Sequence, residues 1–81
     1  MQKIEKLFGL AVRRRRERLG ISQEAFAAKA GIHRTYVSSI ELGKVQISIH
    51  IANLLAAALG LPLSKLWRDV ESLGAAGMPS K

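Results

Sequence analysis

Four glycines divide this chain into segments whose length and apolar pattern fit short helices. Gly20, Gly31, Gly43 and Gly60 stand 11, 12 and 17 residues apart. Apolar residues recur at helical spacing between them, and no stretch alternates long enough to suggest a strand. Because glycine tolerates the left-handed conformation at which helices often end, the spacing predicts helix ends at these positions. We therefore expect an all-α fold, a compact bundle of five helices.

The predicted helices fill the intervals between the glycines. They cover residues 2–19, 23–30, 34–42, 49–59 and 63 to 72 or 73. Ser22 and Ser48 suit the starts of the second and fourth helices, since a serine hydroxyl accepts an unpaired backbone N–H there. One domain over residues 1–73 is expected, followed by a disordered tail over residues 74–81, which is small and polar.

The positive charge of the chain is concentrated in its first half. The net charge of the 81 residues is +7, and residues 1–44 hold ten Lys and Arg against four Asp and Glu. Residues 45–81 hold three basic against two acidic residues. A charge confined to one half of a small domain indicates a surface for a polyanion, either nucleic acid or an anionic membrane.

The sequence contains no motif for catalysis or metal binding. The chain has no cysteine, which excludes a disulfide, a cysteine-based zinc site and a thiol nucleophile. It has no glycine-rich phosphate loop and no HExxH motif, and His33 and His50 stand far apart without acidic companions. We expect no enzyme activity, no metal and no cofactor. No signal peptide or bilayer-spanning run is visible, so a cytoplasmic protein is expected.

The most informative segment is 22–43, where two short predicted helices meet at a turn around Gly31. Ala27 allows the second helix to cross closely, and Ile32 and Val37 seal the pair with apolar contacts. This is the helix-turn-helix pattern, whose second helix lies in the major groove of DNA.

The chain resembles the Xre/Cro/lambda-repressor class of helix-turn-helix regulators over residues 8–67. The resemblance is carried by Arg16, the run 20–24, Ala27, Gly31, the run 36–41, Gly43 and Lys44. Residues 33–38 are also similar to the recognition helices of small restriction–modification controller proteins, which have this length. Both resemblances imply a bacterial or phage regulator that acts on the nucleoid.

The third helix begins with polar side chains that a core built on Val37 and Ile40 cannot use. An arginine there can bind guanine O6 and N7 with two hydrogen bonds, and a threonine methyl suits thymine. A solvated helix face is the plain alternative. The predicted base contacts are His33, Arg34, Thr35, Ser38 and Ser39.

The resemblance also implies roles for residues around that helix. Gln23 and Lys44 match positions that contact the DNA backbone, and Arg16 matches the position that pairs with a glutamate of the third helix, here Glu41. Tyr36 either seals the helix pair with its ring or places its hydroxyl on a phosphate. The run 13–16 spans the whole circumference of its helix, so its other arginines are expected to form a diffuse field, with Arg13 reaching a phosphate.

The apolar residues of the last two helices exceed what a small monomer can bury. In the first helix Phe8, Val12 and Leu19 are the expected inward positions, and in the fourth Ile49, Ala52, Leu55, Ala56 and Leu59. The fourth helix carries a second apolar stripe beyond these inward positions, formed by Ile51, Leu54 and Ala58. This excess predicts a two-fold dimer with recognition helices about 34 Å apart on DNA. The expected dimer contacts are Ile51, Leu54, Ala58, Leu63, Trp67 and Val70. Alternatively, Leu66 and Trp67 only close the core of the monomer.

Three functions of different classes compete to explain these patterns. A homodimeric regulator of a (pseudo)palindromic operator in double-stranded DNA fits best, with repression by occlusion and activation through RNA polymerase both open. An antitoxin-like protein-interaction module of the same fold is the alternative, although the residues after Leu73 offer little for a partner. A membrane binder fails because the first helix has no clean apolar face opposite its charges.

Overall fold

Five α-helices occupy the predicted intervals in the computed structural model, which describes residues 3–77. They are α1 (Ile4–Leu19), α2 (Gln23–Ala30), α3 (Arg34–Glu41), α4 (Ile49–Ala58) and α5 (Leu63–Gly77). The predicted all-α fold is confirmed, and α2 has the predicted bounds. Helices α3 and α4 each end one residue earlier than predicted.

The helix boundaries follow from local hydrogen bonds that the sequence pattern anticipates. The hydroxyl of Ser22 accepts the backbone N–H of Ala25 at 3.0 Å, and that of Ser48 accepts the N–H of Ile51 at 3.1 Å. Gly31 ends α2 in the left-handed conformation, with φ 75°. This conformation turns the chain sharply enough for α3 to begin after only two further residues.

Side chains from all five helices form one hydrophobic core. Helix α1 packs on α3 and α5, and α2 packs on α3 and α4. The largest fully buried side chains are those of Phe26, Leu55, Leu66, Val12, Val37 and Val70. Two expected core positions are wrong, because Leu19 is half exposed at the last turn of α1 and Ile49 is 81% exposed at the first turn of α4.

Helices α1 and α3 approach each other most closely at Gly9. A Cβ atom at this position would lie 2.7 Å from the backbone carbonyl oxygen of Glu41 and would also overlap that of Ile40. The end of α3 therefore rests directly on the α1 backbone. Gly43 continues this contact, because a Cβ there would lie 2.7 Å from the Cα of Lys6.

Helix α5 is longer than predicted. It runs to Gly77 instead of ending at Ser72 or Leu73. Its hydrophobic face continues past the predicted end, since Gly74 is buried and would place a Cβ 3.2 Å from Leu7 Cδ1 on α1. The first four residues of the expected tail are thus helical, and residues 78–81 lie outside the described range.

Among residues 3–77, no single helix is long and apolar enough to cross a membrane. Helices α4 and α5 meet the length and composition criteria only when they are taken together, and they are bent by 98° at the break between them.

Candidate nucleic-acid interface

Helices α2 and α3 form a helix-turn-helix unit that exposes one side of α3. Val37 and Ile40 are buried against the core, and the carboxylate of Glu41 is buried beside them. These three side chains hold the inner face of α3, so the residues between them point away from the core. The outer face is left to the polar residues at the start of the helix.

The predicted base-contacting residues lie together on this outer face. Arg34 and Thr35 are exposed, whereas Ser38 and Ser39 are half-buried. Positions four apart on a helix are neighbours, so Arg34 lies above Ser38 and Thr35 above Ser39. The arrangement offers a guanidinium and three hydroxyls on one surface.

His33 has a structural role that the sequence prediction missed. It is the N-cap of α3, and its Nδ1 accepts the backbone N–H of Thr35 at 3.1 Å. The same Nδ1 lies 2.8 Å from Thr35 Oγ1. Serine, threonine, aspartate and asparagine are the usual N-caps, so the sequence gives no signal for a histidine in this role. The ring remains exposed at the edge of the predicted interface.

A buried hydrogen-bond network fixes the orientation of α3 against α1 and α2. Arg16 Nε donates to Glu41 Oε2 at 2.7 Å and Arg16 Nη2 donates to Glu41 Oε1 at 3.0 Å, which is the pair that the resemblance implies. Arg16 Nη1 also donates to the carbonyl oxygen of Ile21 at 2.9 Å. Its hydrogen bonds to Glu41 raise the pKa of Arg16 above its ordinary value despite burial. The guanidinium therefore stays charged inside the domain.

Gln23 is part of the same network. Its Nε2 donates to Glu41 Oε1 at 2.9 Å, at the first turn of α2. An amide nitrogen carries two hydrogens, so one N–H remains for a second acceptor such as a phosphate. The sequence prediction placed Gln23 on the DNA backbone without anticipating this bond to α3.

The other predicted backbone contacts differ in their surroundings. Lys44 is exposed in the loop after α3, and its backbone N–H donates to the carbonyl oxygen of Ser39 at 3.0 Å. Tyr36 is half-buried and packs against the hydrophobic core. The ring of Tyr36 thus seals the domain.

Three of the four arginines in the run of α1 form ion pairs, and the fourth, Arg14, is exposed. Arg13 pairs with Glu17 one turn later at 3.0 Å, on the exposed surface. Arg15 Nη2 donates to Asp69 Oδ1 at 3.0 Å, which ties α1 to α5, and its hydrogen bonds lower the pKa of Asp69. Of the three arginines expected to form a diffuse field, two are thus paired with carboxylates. A contact across 54 residues leaves no local pattern by which the Arg15 pair could have been predicted.

Two of the expected dimer contacts have side chains that are buried within the chain itself, which leaves them little surface for a partner. Val70 is completely buried and Ala58 nearly so. Both lie on the inward faces of their helices, where they complete the core. The remaining expected contacts, which are half-buried or exposed, are Ile51, Leu54, Leu63 and Trp67.

Two of these residues, Leu63 and Trp67, line an apolar groove of about 690 Å³. It runs between the start of α1, the loop before α4, and α5. Trp67 is 42% exposed at one wall and its ring centroid lies 6.4 Å from that of Phe8. Ile49 stands at the other wall. Ile4, Ile49 and Trp67 are the large exposed apolar side chains that line this groove.

The described residues contain no group of three or more metal-ligating side chains.

The close-packed position of Gly9 could have been predicted from the sequence. Gly9 interrupts an otherwise apolar stretch of a helix, and an isolated glycine there usually has a packing reason.

Comparisons with known proteins agree with this architecture. The sequence profile of the helix-turn-helix family matches residues 12–66. The chain is 42% identical over 72 residues to "Control protein C.MunI" from Mycoplasma sp, which covers 88% of this chain and 97% of the relative. It is 39% identical over 59 residues to "Control protein C.BamHI" from Bacillus amyloliquefaciens, covering 72% of this chain and 73% of the relative.

A solved structure shares both fold and sequence with the chain. It is the restriction–modification controller protein C.AhdI from Aeromonas hydrophila, with a TM-score of 0.74 and 34% identity. The match covers 76% of this chain and 94% of that protein. These relatives are regulators and not enzymes, which agrees with the sequence prediction.

Proposed function

The chain belongs to the Cro/C1-type helix-turn-helix family of DNA-binding transcriptional regulators, and on that basis we propose that it acts as a homodimer on a (pseudo)palindromic operator. The observation that carries the proposal is the exposed polar start of α3, held rigidly by a buried network on its opposite side. A helix presented in this way fits the major groove.

Sequence recognition is assigned to the outer face of α3. Arg34 supplies two parallel N–H donors for guanine O6 and N7, and such a pair discriminates against other bases by about 1–3 kcal/mol. Thr35, Ser38 and Ser39 add hydroxyls for further base or backbone contacts. His33 stands at the edge of this surface and caps the helix that carries it.

Backbone contacts are assigned to residues that flank α3. The free amide N–H of Gln23 suits a phosphate at the N-terminus of α2, where the helix dipole also favours an anion. Lys44 supplies a mobile charge at the other end of α3. Because Arg16, Glu41 and Gln23 are hydrogen-bonded to one another, a phosphate on Gln23 is held in fixed register with α3.

The dimer is proposed to form through the apolar groove and the adjoining faces of α4 and α5. Exposed apolar patches on small domains mark interaction sites. Ile49 projects from the groove wall and is suited to enter the matching groove of a second copy. A two-fold axis there would place two α3 helices on one side of the DNA.

Likeness to C.MunI, C.BamHI and C.AhdI supports a narrower proposal, that the chain controls a restriction–modification system. The same likeness does not favour the antitoxin-like alternative. Activation through RNA polymerase stays a prediction.

Selection of bound sites from random duplex DNA tests the proposed function. We expect an inverted repeat of two half-sites. Arg34→Ala should lose preference at one base position in each half-site, whereas Lys44→Ala should weaken all sequences alike and lower the slope of affinity against salt by about one. Recovery of no common sequence, or Arg34→Ala with unchanged preferences, would overturn the assignment.

Sedimentation at micromolar concentration tests the dimer. Ile49→Asp should convert a dimer to a monomer, because a carboxylate cannot be buried unpaired in an apolar groove. Leu19→Asp is the matched control, since Leu19 is also exposed and apolar but lies away from the groove. A wild-type monomer, or dimers of equal strength in both variants, contradicts this interface.

A further inference from the structure

The first turn of α3 contains hydrogen bonds that determine what Thr35 can recognise. Nδ1 of His33 accepts the backbone N–H of Thr35 and lies within hydrogen-bond distance of Thr35 Oγ1. A backbone N–H can only donate, so Nδ1 carries a lone pair and no proton. The hydroxyl of Thr35 must then supply the hydrogen in its own bond to Nδ1.

Donation to His33 decides whether the Thr35 hydroxyl can donate to a base or only accept from it. A free hydroxyl donates or accepts and therefore tolerates bases of either kind. Once its single hydrogen lies on His33, the oxygen of Thr35 has only lone pairs to offer. Both residues are exposed at the start of α3, where a base edge can reach them.

We propose that His33 is a positioning residue that fixes Thr35 as a hydrogen-bond acceptor, so that Thr35 selects a base with an exocyclic amino group. In the major groove these groups are N6 of adenine and N4 of cytosine. Guanine and thymine present acceptors at the corresponding edge, and two acceptors facing each other leave both without a partner. The inference rests on the proposed DNA-binding function.

The tautomer of His33 is measurable without DNA. Two-bond ¹H–¹⁵N correlation spectra at about pH 8, where an ordinary histidine is neutral, distinguish the two ring nitrogens. We expect His33 to carry its proton on Nε2 alone. His50 is the internal comparison, because it is the other histidine of the chain and is exposed on α4. A proton on Nδ1 of His33 would overturn the proposal, whatever the DNA results.

Site selection with three variants tests the consequence for recognition. Thr35→Val keeps the shape but removes the hydroxyl, so it identifies the base position that Thr35 reads. His33→Asn keeps an acceptor for the N–H and hydroxyl of Thr35, and we expect it to retain the preference of the wild type for adenine or cytosine. His33→Ala frees the hydroxyl hydrogen, and we expect thymine and guanine to be admitted at the same position.

Base analogues then measure the contact itself. Replacing the selected adenine by purine, or the selected cytosine by pyrimidin-2-one, deletes only the amino group. We expect roughly three- to tenfold weaker binding for the wild type and for His33→Asn, the effect of one hydrogen bond. Thr35→Val should show no further loss. Circular dichroism of each variant separates a change of preference from loss of folded protein.

The outcomes separate this inference from the function on which it depends. DNA binding with thymine or guanine selected at the position of Thr35 overturns the inference and leaves the function standing. The same holds if His33→Ala retains the preference for adenine or cytosine, or if no base position responds to Thr35→Val. If the wild type selects no DNA, the proposed function is wrong, and the inference that rests on it is wrong as well.

Discussion

Replacing Gly9 by alanine should destabilise the domain, although alanine is the better helix former. The Cβ atom would lie 2.7 Å from the carbonyl oxygen of Glu41 and closer still to that of Ile40. Both neighbours belong to the backbone of α3. They cannot turn aside as the end of a side chain can, so α1 and α3 must move apart by several tenths of an ångström.

Two opposing contributions set the size of the effect. Overpacking in a close contact costs about 1–3 kcal/mol, and a rigid backbone neighbour favours the upper part of that range. Removal of a glycine from a helix interior gains about 1 kcal/mol. The expected net loss is about 1–2 kcal/mol. For a domain of this size each 1 kcal/mol lowers the melting temperature by roughly 4–8 °C.

Gly74→Ala provides the matched control for this measurement. Gly74 is also helical, but its Cβ would meet only Leu7 Cδ1, at 3.2 Å, which is the end of a flexible side chain. Urea unfolding followed by circular dichroism should show this variant to be as stable as the wild type or slightly more stable. If Gly9→Ala matches or exceeds the wild type in the free energy of unfolding, the close approach of α1 and α3 is refuted.

Three further predictions concern the ion pairs. Asp69→Asn should lower the free energy of unfolding by about 1 kcal/mol at neutral pH. The hydrogen bonds from Arg15 lower the pKa of Asp69 in the folded state, so this stabilisation is fully present above the carboxyl's unfolded pKa of about 3.9 and is lost as the pH falls below it. In unfolding curves recorded at decreasing pH, the difference between variant and wild type should therefore vanish. Glu41→Gln should cost about 3 kcal/mol by leaving the buried charge of Arg16 unpaired, whereas Gln23→Ala should cost about 1 kcal/mol or less in the same unfolding assay. Arg13→Ala should lower the salt slope of DNA binding by about one, and Arg15→Ala should leave it unchanged, as measured by affinity at several salt concentrations.

The fold was predictable where its determinants are local. Ser22 and Gly31 each act through hydrogen bonds within a few residues, and the bounds of α2 that they set were predicted correctly. The end of α5 was not predictable in this way, because Gly74 looks like a stop signal in the sequence. The helix continues because its buried side extends to Gly74, which lies against Leu7 of α1, a contact between residues far apart in the chain.

The same distinction applies to the candidate site. The outer face of α3 follows from helical periodicity once Val37 and Ile40 are assigned to the core. His33 is predicted to contact bases because it belongs to the polar start of α3, whereas its capping bond depends on a ring orientation that no pattern encodes. Ile49 fits the inward stripe of α4 by spacing, but it precedes the point where α4 meets the core and is therefore exposed.

Burial determines which arginines of α1 remain available to DNA. The side chains of Arg13 and Glu17 are 53% and 51% exposed, so their pair is weak in water and a phosphate can replace the glutamate at little cost. The side chains of Arg16 and Glu41 are 11% and 2% exposed, and removing Arg16 from its partner would leave a buried carboxylate uncompensated. The side chains of Arg15 and its partner Asp69 are 22% and 29% exposed, between these extremes. Adjacent positions of one sequence run thus serve different purposes, because helical rotation turns each toward a different environment.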